Sequence, residues 1–186
     1  MIRIGLIGSN GAGKSSACAF FREQGFVVVS LSDFVREEAT RKNLPHSRDN
    51  LVATANLLKQ ARGEAVLAEM ALAKMATVDQ PMAFDSIRNV AEVELLKANG
   101  VYFIGIDAPV ALRYERICKR GLAADAVTFD QFKAQDDREN EGQSSGQNIH
   151  AALRACNVVV DNTQGLDALA SRLTQILKDV QSCQPH

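Results

Sequence analysis

The chain reads as an α/β protein, a parallel sheet covered by helices on both faces, and three observations carry that reading. Short strands rich in Val and Ile recur along it. Each is followed by a segment of helical periodicity, the alternation expected of a parallel sheet. The first strand runs into a glycine-rich loop and then a helix, at the carboxyl end where such sheets bind ligands.

In order, residues 2–7 predict a short apolar strand and residues 14–24 a helix closed by Gly25. "FVVVS" (26–30) is a second strand, and "SDFVREEATRK" a helix capped by Ser32 or Asp33. Residues 47–76 carry helical periodicity twice, with a break near Gly63. Pro81 introduces the strand "MAFD"; residues 91–98 are helical, and 101–107 form a strand. Pro109 starts a helix that reaches about Arg120. Residues 121–147 are polar and predict one short helix that Thr128 could cap. "NVVVDN" is the last strand and residues 166–180 the last helix, with no repeat or low-complexity linker.

The 186 residues suit one domain, able to bury roughly 70% of its unfolded surface. With 46% hydrophobic and 23% charged residues, the composition is that of an ordinary globular protein. A formal charge of −1 leaves no global field to recruit nucleic acid or anionic membrane. No apolar stretch approaches the ~20 residues of a membrane span, and the opening segment reads as a strand rather than a signal peptide. Cys18, Cys118, Cys156 and Cys183 show no paired metal-ligand spacing. They read as reduced thiols of a cytoplasmic protein, although spacing alone does not decide whether two are bridged.

Gly8 to Ser15, "GSNGAGKS", fit G-x-x-x-x-G-K-[ST] without a mismatch. Glycines let the backbone curl so that successive N–H groups point at phosphate oxygens, and the helix start adds its positive dipole end. Gly8, Asn10, Gly11, Ala12, Gly13, Lys14, Ser15 and Ser16 are therefore the candidate contacts to ATP. Lys14 suits the β- and γ-phosphates, and the Ser15 hydroxyl suits Mg²⁺.

Further along, "SLSDFVREEA" resembles the adenylate-kinase segment S-T-G-D-x-x-R, with Asp33 and Arg36 matching. "FDSIRNVAEVE" resembles the D-G-F-P-R segment of the same enzymes, one residue shorter, with Asp85 and Arg88 matching. "RYERICKRG" supplies the R-x-x-x-R that opens a nucleotide-kinase lid, at Arg116 and Arg120. "VVVDNTQGLDAL" is similar to the closing strand–turn–helix of dephospho-CoA kinases, whose loop lies by the adenine, at Asn162 here. Together these segments most resemble an adenylate-kinase-related family of the nucleoside monophosphate kinase group. The resemblance implies a three-layer P-loop fold with five parallel strands in the order 2-3-1-4-5. It also implies an acceptor-binding helical region at residues 31–80 and a lid at 121–147. That lid departs from the best-known ones, having no cysteine cluster for zinc and more acidic than basic residues.

Phosphoryl transfer asks a protein for positioning and charge neutralisation rather than covalent chemistry. Arg36, Arg88, Arg116, Arg120 and Arg138 are candidates, since a planar guanidinium pairs bidentately with phosphate and stays charged. Lys14, Asp33, Arg88, Arg120 and Arg138 form the expected catalytic set, and Asp33, Arg36, Arg88 and Glu92 the acceptor set. Asp85 is expected to hold Mg²⁺ with Ser15. Asp33 suits either the orientation or deprotonation of an attacking hydroxyl, or a helix N-cap. Glu92 falls where adenylate kinases carry a base-reading glutamine, and equally suits a first-turn carboxylate favoured by the helix dipole. The three histidines form no constellation.

The function implied is transfer of the γ-phosphate of Mg-ATP to a nucleotide-like acceptor, foremost a nucleoside or deoxynucleoside monophosphate. Dephospho-CoA kinase and a kinase of hydroxymethylated bases in DNA share the fold. Arg36, Arg41, Lys42 and Arg48 in "REEATRKNLPHSR" supply a basic stretch for the latter. A nucleotide switch that transfers phosphate only to water is the alternative of another class. Oligomeric state is not encoded in any motif.

Overall fold

A computed structural model describes residues 1–121, 127–140 and 148–182. It contains β1 (Arg3–Ile7), α1 (Lys14–Glu23), β2 (Val27–Ser30), α2 (Leu31–Arg41), α3 (Arg48–Arg62), α4 (Val66–Met75) and β3 (Met82–Asp85). The chain continues through α5 (Val90–Ala98), β4 (Tyr102–Asp107), α6 (Val110–Arg120), α7 (Phe129–Asn140), α8 (Ile149–Arg154), β5 (Val158–Asp161) and α9 (Leu166–Ser182). The five strands form one parallel sheet in the order β2-β3-β1-β4-β5, as predicted.

Strand alternation splits the core into two layers. Ile7, Met82, Phe84 and Phe103 face α2, α4, α5 and α8, joining Leu31, Val66, Val93, Leu96 and Ala152. Ile4, Leu6, Ala83, Ile104 and Ile106 face α1 and α9, against Ala17, Phe21, Leu173 and Ile176. Because β1 lies between β3 and β4, its carboxyl end opens at the middle of the sheet, beside Asp85 and the end of β4. That crossing point is where an open α/β sheet leaves room for a ligand.

Two predicted details change. The second helix begins at Leu31 directly after the strand, with Ser30 rather than Ser32 or Asp33 at its N-cap position. Ser30 gives no side-chain cap because its hydroxyl is spent on Ser86 and Ser32, at 2.8 and 2.9 Å. The six-residue α8 was not anticipated; it is short, and its signal is only an Asn148 side chain that accepts the Ala151 N–H at 2.9 Å. Thr128 does cap α7, accepting the Gln131 N–H while Gln131 accepts that of Thr128. The remainder of the expected lid, at 122–126 and 141–147, and Cys183 lie outside the described residues. Among the described residues no helix is long and apolar enough to cross a membrane.

Candidate active site

The loop between β1 and α1 is shaped by its glycines. Gly11 and Gly13 have φ of 77° and 119°, a region that L side chains rarely adopt. A Cβ on Gly11 would stand 2.6 Å from the Arg113 carbonyl oxygen, and one on Gly13 would collide with the Asn162 amide nitrogen. Turn and close packing both demand glycine there. The α1 helix starts at Lys14, so its first-turn N–H groups and positive dipole end point into the loop.

Lys14 donates to the carbonyl oxygens of Gly8 and Ser9, the latter at 3.1 Å. Burial pushes its ammonium down to about 8; Asp85 opposes that shift, and the Arg88 guanidinium adds to it. At the end of β3, Asp85 Oδ1 is buried with no hydrogen-bond partner. Its Oδ2 accepts from Ser86 at 3.5 Å. Lys14 thus feels the charge of Asp85 at the switch point of the sheet, and the exposed Ser15 follows it in the chain. Among the described residues no group of three His, Cys, Asp or Glu could hold a metal by itself. A hydroxyl with one carboxylate oxygen lacking a protein partner suits Mg²⁺, which keeps waters and takes phosphate oxygens for its other positions.

A cleft of about 630 Å³ opens from Gly8, Asn10 and Lys14 toward α2, α3 and α4 on one side and α6 and α7 on the other. Its walls carry Lys14, Arg48, Lys59, Arg88 and Arg120 against two carboxylates, Glu92 and Glu139. Positive charge is concentrated here although the whole chain is close to neutral. Arg88 stands 3.7 Å from Glu139, and Arg120 donates to the Asn10 side chain at 3.4 Å. Arg116 reaches the loop from behind, donating to the carbonyls of Gly11 and Ala12 at 3.5 Å and of Asn162 at 2.7 Å.

Several predicted residues take other positions. Asp33 and Arg36 pair with each other at 2.7 Å on an exposed face of α2 and do not line the cleft. The helix begins earlier than expected and turns them outward. Arg138 donates to the Ala134 carbonyl within α7 and also stays off the cleft wall. Asn162 is buried and supports the loop, donating to the Ala12 carbonyl at 2.8 Å. Glu92 completes a capping box with Asn89, accepting the N–H groups of Arg88 and Asn89 at 2.9 and 3.4 Å. Burial raises its pKa, with those N–H donors and the Lys59 ammonium pulling the other way. It thereby fixes the backbone of Arg88 at the cleft floor.

Sequence reasoning missed Lys59 and the buried Arg113. Lys59 sits at the inner end of α3 with a largely covered stem and pairs with Glu64 at 3.3 Å. No local pattern distinguishes it from a solvated helix lysine. Arg113 shares a helical stripe with the buried Ile117, four residues on, and that phase was a usable signal.

No family model matches the chain. A UPF0200 protein of Methanothrix thermoacetophila is 31% identical over 179 residues, covering 95% of this chain and 97% of the relative. The chain belongs to the UPF0200 family. A UPF0200/UPF0201 protein of Archaeoglobus fulgidus is also 31% identical, across 94% of this UPF0200 chain, which spans only about half (54%) of that relative's length. Among solved structures, TT1252 from Thermus thermophilus superposes with a TM-score of 0.67 at 18% identity, covering 96% of this chain and 97% of that one. A shikimate kinase from Bacteroides thetaiotaomicron does so with a TM-score of 0.57 at 15% identity, covering 95% and 98%. At those identities the likeness establishes the fold, which this UPF0200 protein shares with P-loop kinases.

Proposed function

We propose that this UPF0200 protein is a phosphotransferase that moves the γ-phosphoryl group of Mg-ATP onto a small anionic acceptor, foremost a nucleoside or deoxynucleoside monophosphate. The observation that carries the reading is that Lys14 and Arg88, from separate elements, line one cleft whose charged groups are mostly cations. A triphosphate and an anionic acceptor repel each other, so their approach needs positive charge between them.

In this reading residues 8–15 hold the triphosphate through backbone N–H groups and the Lys14 ammonium. Ser15 and Asp85 hold Mg²⁺, which when bound neutralises charge building on the β- and γ-phosphates. Arg120 follows the donor phosphates, and Arg116 braces the loop and the segment around Asn162. Arg88, its backbone set by Glu92, meets the acceptor anion, with Lys59 and Arg48 farther along the same wall. Asp33 and Arg36 reach the reaction only if residues 31–80, the proposed acceptor region, close over the ligands, while Arg138, on α7 within the proposed lid at 121–147, stays off the cleft as long as α7 keeps its place against the phosphate loop. Closure would exclude water that otherwise intercepts the phosphoryl group.

The test is ADP release from Mg-ATP across ribo- and deoxynucleoside monophosphates, shikimate, dephospho-CoA and DNA containing hydroxymethylpyrimidines, with water as the blank. One monophosphate should stand well above water, and Lys14→Ala should cut that rate by at least ~10²-fold while staying folded. Equal ADP release with and without every acceptor would leave only a nucleotide hydrolase.

A further inference from the structure

Behind the loop lies a closed ring of buried polar groups that the phosphotransfer reading does not use. Arg113 of α6 donates from Nη1 and Nη2 to the two carboxylate oxygens of Asp136, at 2.6 and 2.7 Å. The same guanidinium donates to the carbonyls of Ala108 and Asn10, at 2.9 and 3.3 Å. Asp136 Oδ2 also accepts from the Asn140 side-chain amide at 2.9 Å. Asn140 Oδ1 in turn accepts the Ser9 hydroxyl at 2.9 Å. Ser9, Arg113, Asp136 and Asn140 are all between 2% and 6% exposed.

Ser9 and Asn10 are adjacent residues of the phosphate loop, so the ring leaves that loop, crosses α7 and α6, and returns to it. Asp136 and Asn140 lie one helical turn apart on one side of α7, while Gln135 and Glu139, one residue earlier in each turn, line the cleft. Fixing the first pair sets the rotation of the helix, and with it the place of Glu139 beside Arg88.

We propose that Asp136 and Asn140 are positioning residues. Through Arg113 and Ser9 they join the corner of the phosphate loop and the cleft face of α7 into one body. In consequence α7 is a fixed wall of the cleft that moves only with the loop. The nucleotide arm of the test below rests on the phosphotransfer reading; its ligand-free arm does not.

The experiment is amide hydrogen exchange of the full chain, read residue by residue at three places. These are Ala12, whose N–H bonds the Ser9 carbonyl; Ala17, whose N–H bonds that of Gly13; and α7. Without ligand, Asn140→Ala should speed exchange at Ala12 and in α7 together, by about tenfold or more. Loosening of α7 with Ala12 unchanged overturns the proposal. The double variant Arg113→Met with Asp136→Leu keeps the interface filled by apolar groups and should show the same joint loosening should Asn140→Ala fold poorly. Adding Mg-ADP to the unaltered protein should slow exchange at Ala12, Ala17 and α7, whereas in Asn140→Ala the slowing should stop at the loop. Slowing at Ala12 alone in the unaltered protein overturns the joint body and leaves the nucleotide reading intact. Coupled loosening without ligand, but no response to Mg-ADP at any site, supports the joint body and removes the nucleotide reading.

Discussion

Ser30 donates its hydroxyl to Ser86 at 2.8 Å, across the carboxyl ends of β2 and β3, where Ser30 and Asp85 sit opposite each other in register. The contact belongs to a row of polar groups. Arg36 donates to Ser32 at 2.8 Å, Ser32 and Ser30 share a bond at 2.9 Å, and Ser86 reaches the carboxylate of Asp85. The exposed arginine of α2 is thus linked by hydroxyls to the carboxylate proposed to hold Mg²⁺.

That row keeps Ser86 in a left-handed conformation, with φ of 63°. Such backbone costs a non-glycine residue on the order of 1–3 kcal/mol and is sustained by its surroundings. Ser86→Ala keeps the strain and loses the bond, so it should lower stability by about 1 kcal/mol. Ser86→Gly loses the bond and relieves the strain, and should come out more stable than the Ala variant by ~1 kcal/mol. Urea unfolding of both variants checks the order; an Ala variant as stable as the Gly variant would remove the strain argument.

The Arg113–Asp136 pair carries a second prediction. Removing one partner of a buried ion pair leaves an uncompensated charge, so Asp136→Ala should lose about 3–5 kcal/mol of stability. Arg113→Met combined with Asp136→Leu should lose less than either single change, because apolar side chains of similar volume often replace such a pair without penalty. Denaturant midpoints at an unchanged m-value make the comparison. A double variant that falls by the sum of the two singles would mean that the groups act independently.

The phosphate loop was legible because all its requirements are contiguous: turn glycines, a lysine, a hydroxyl and a helix start within eight residues. The sheet was legible because each apolar run was followed by a helical period and a turn signal. The far wall of the cleft was legible only in part: Arg48 stood out in the basic stretch that opens α3, whereas Lys59, on the same amphipathic helix, gains meaning only when α3 packs against α2 and α4. Asp33 and Arg36 stand off the cleft wall because a motif match carries spacing and not the angle at which a helix leaves its strand. Phe132, Asp136 and Asn140 occupy one stripe of α7, and polar groups in phase with a buried aromatic were the overlooked sign of an internal network.

Glu92 carries a pH dependence. Its pKa is raised above the ordinary 4.5 by burial, so the folded chain binds more protons than the unfolded one between 4.5 and the folded value. The native state therefore weakens as pH climbs through that window and regains stability as pH falls. Glu92→Gln keeps an oxygen to accept the N–H groups of Arg88 and Asn89 and removes the buried charge. The stability of Glu92→Gln relative to the unaltered protein should rise as pH climbs above 4.5 through the raised folded-state range. A difference that stays flat across that range would mean that the carboxylate is not penalised by burial.

Lys14 carries the last prediction, on proton uptake. With its ammonium held down to about 8, roughly half of the folded, ligand-free molecules lack this proton at pH 8. A phosphate chain in the loop favours the charged amine, so its pKa must rise on binding and a proton must be taken up. Mg-ADP binding should therefore consume about half a proton at pH 8 and almost none at pH 6, where the amine is already charged. Calorimetry in buffers of different ionisation enthalpy reads that number directly. Lys14→Met removes the titrating group and should abolish the uptake at pH 8 while weakening binding. Uptake that persists in Lys14→Met would assign the proton to another group, and uptake absent from the unaltered protein would mean either that Lys14 is already charged without ligand or that it does not meet the phosphates.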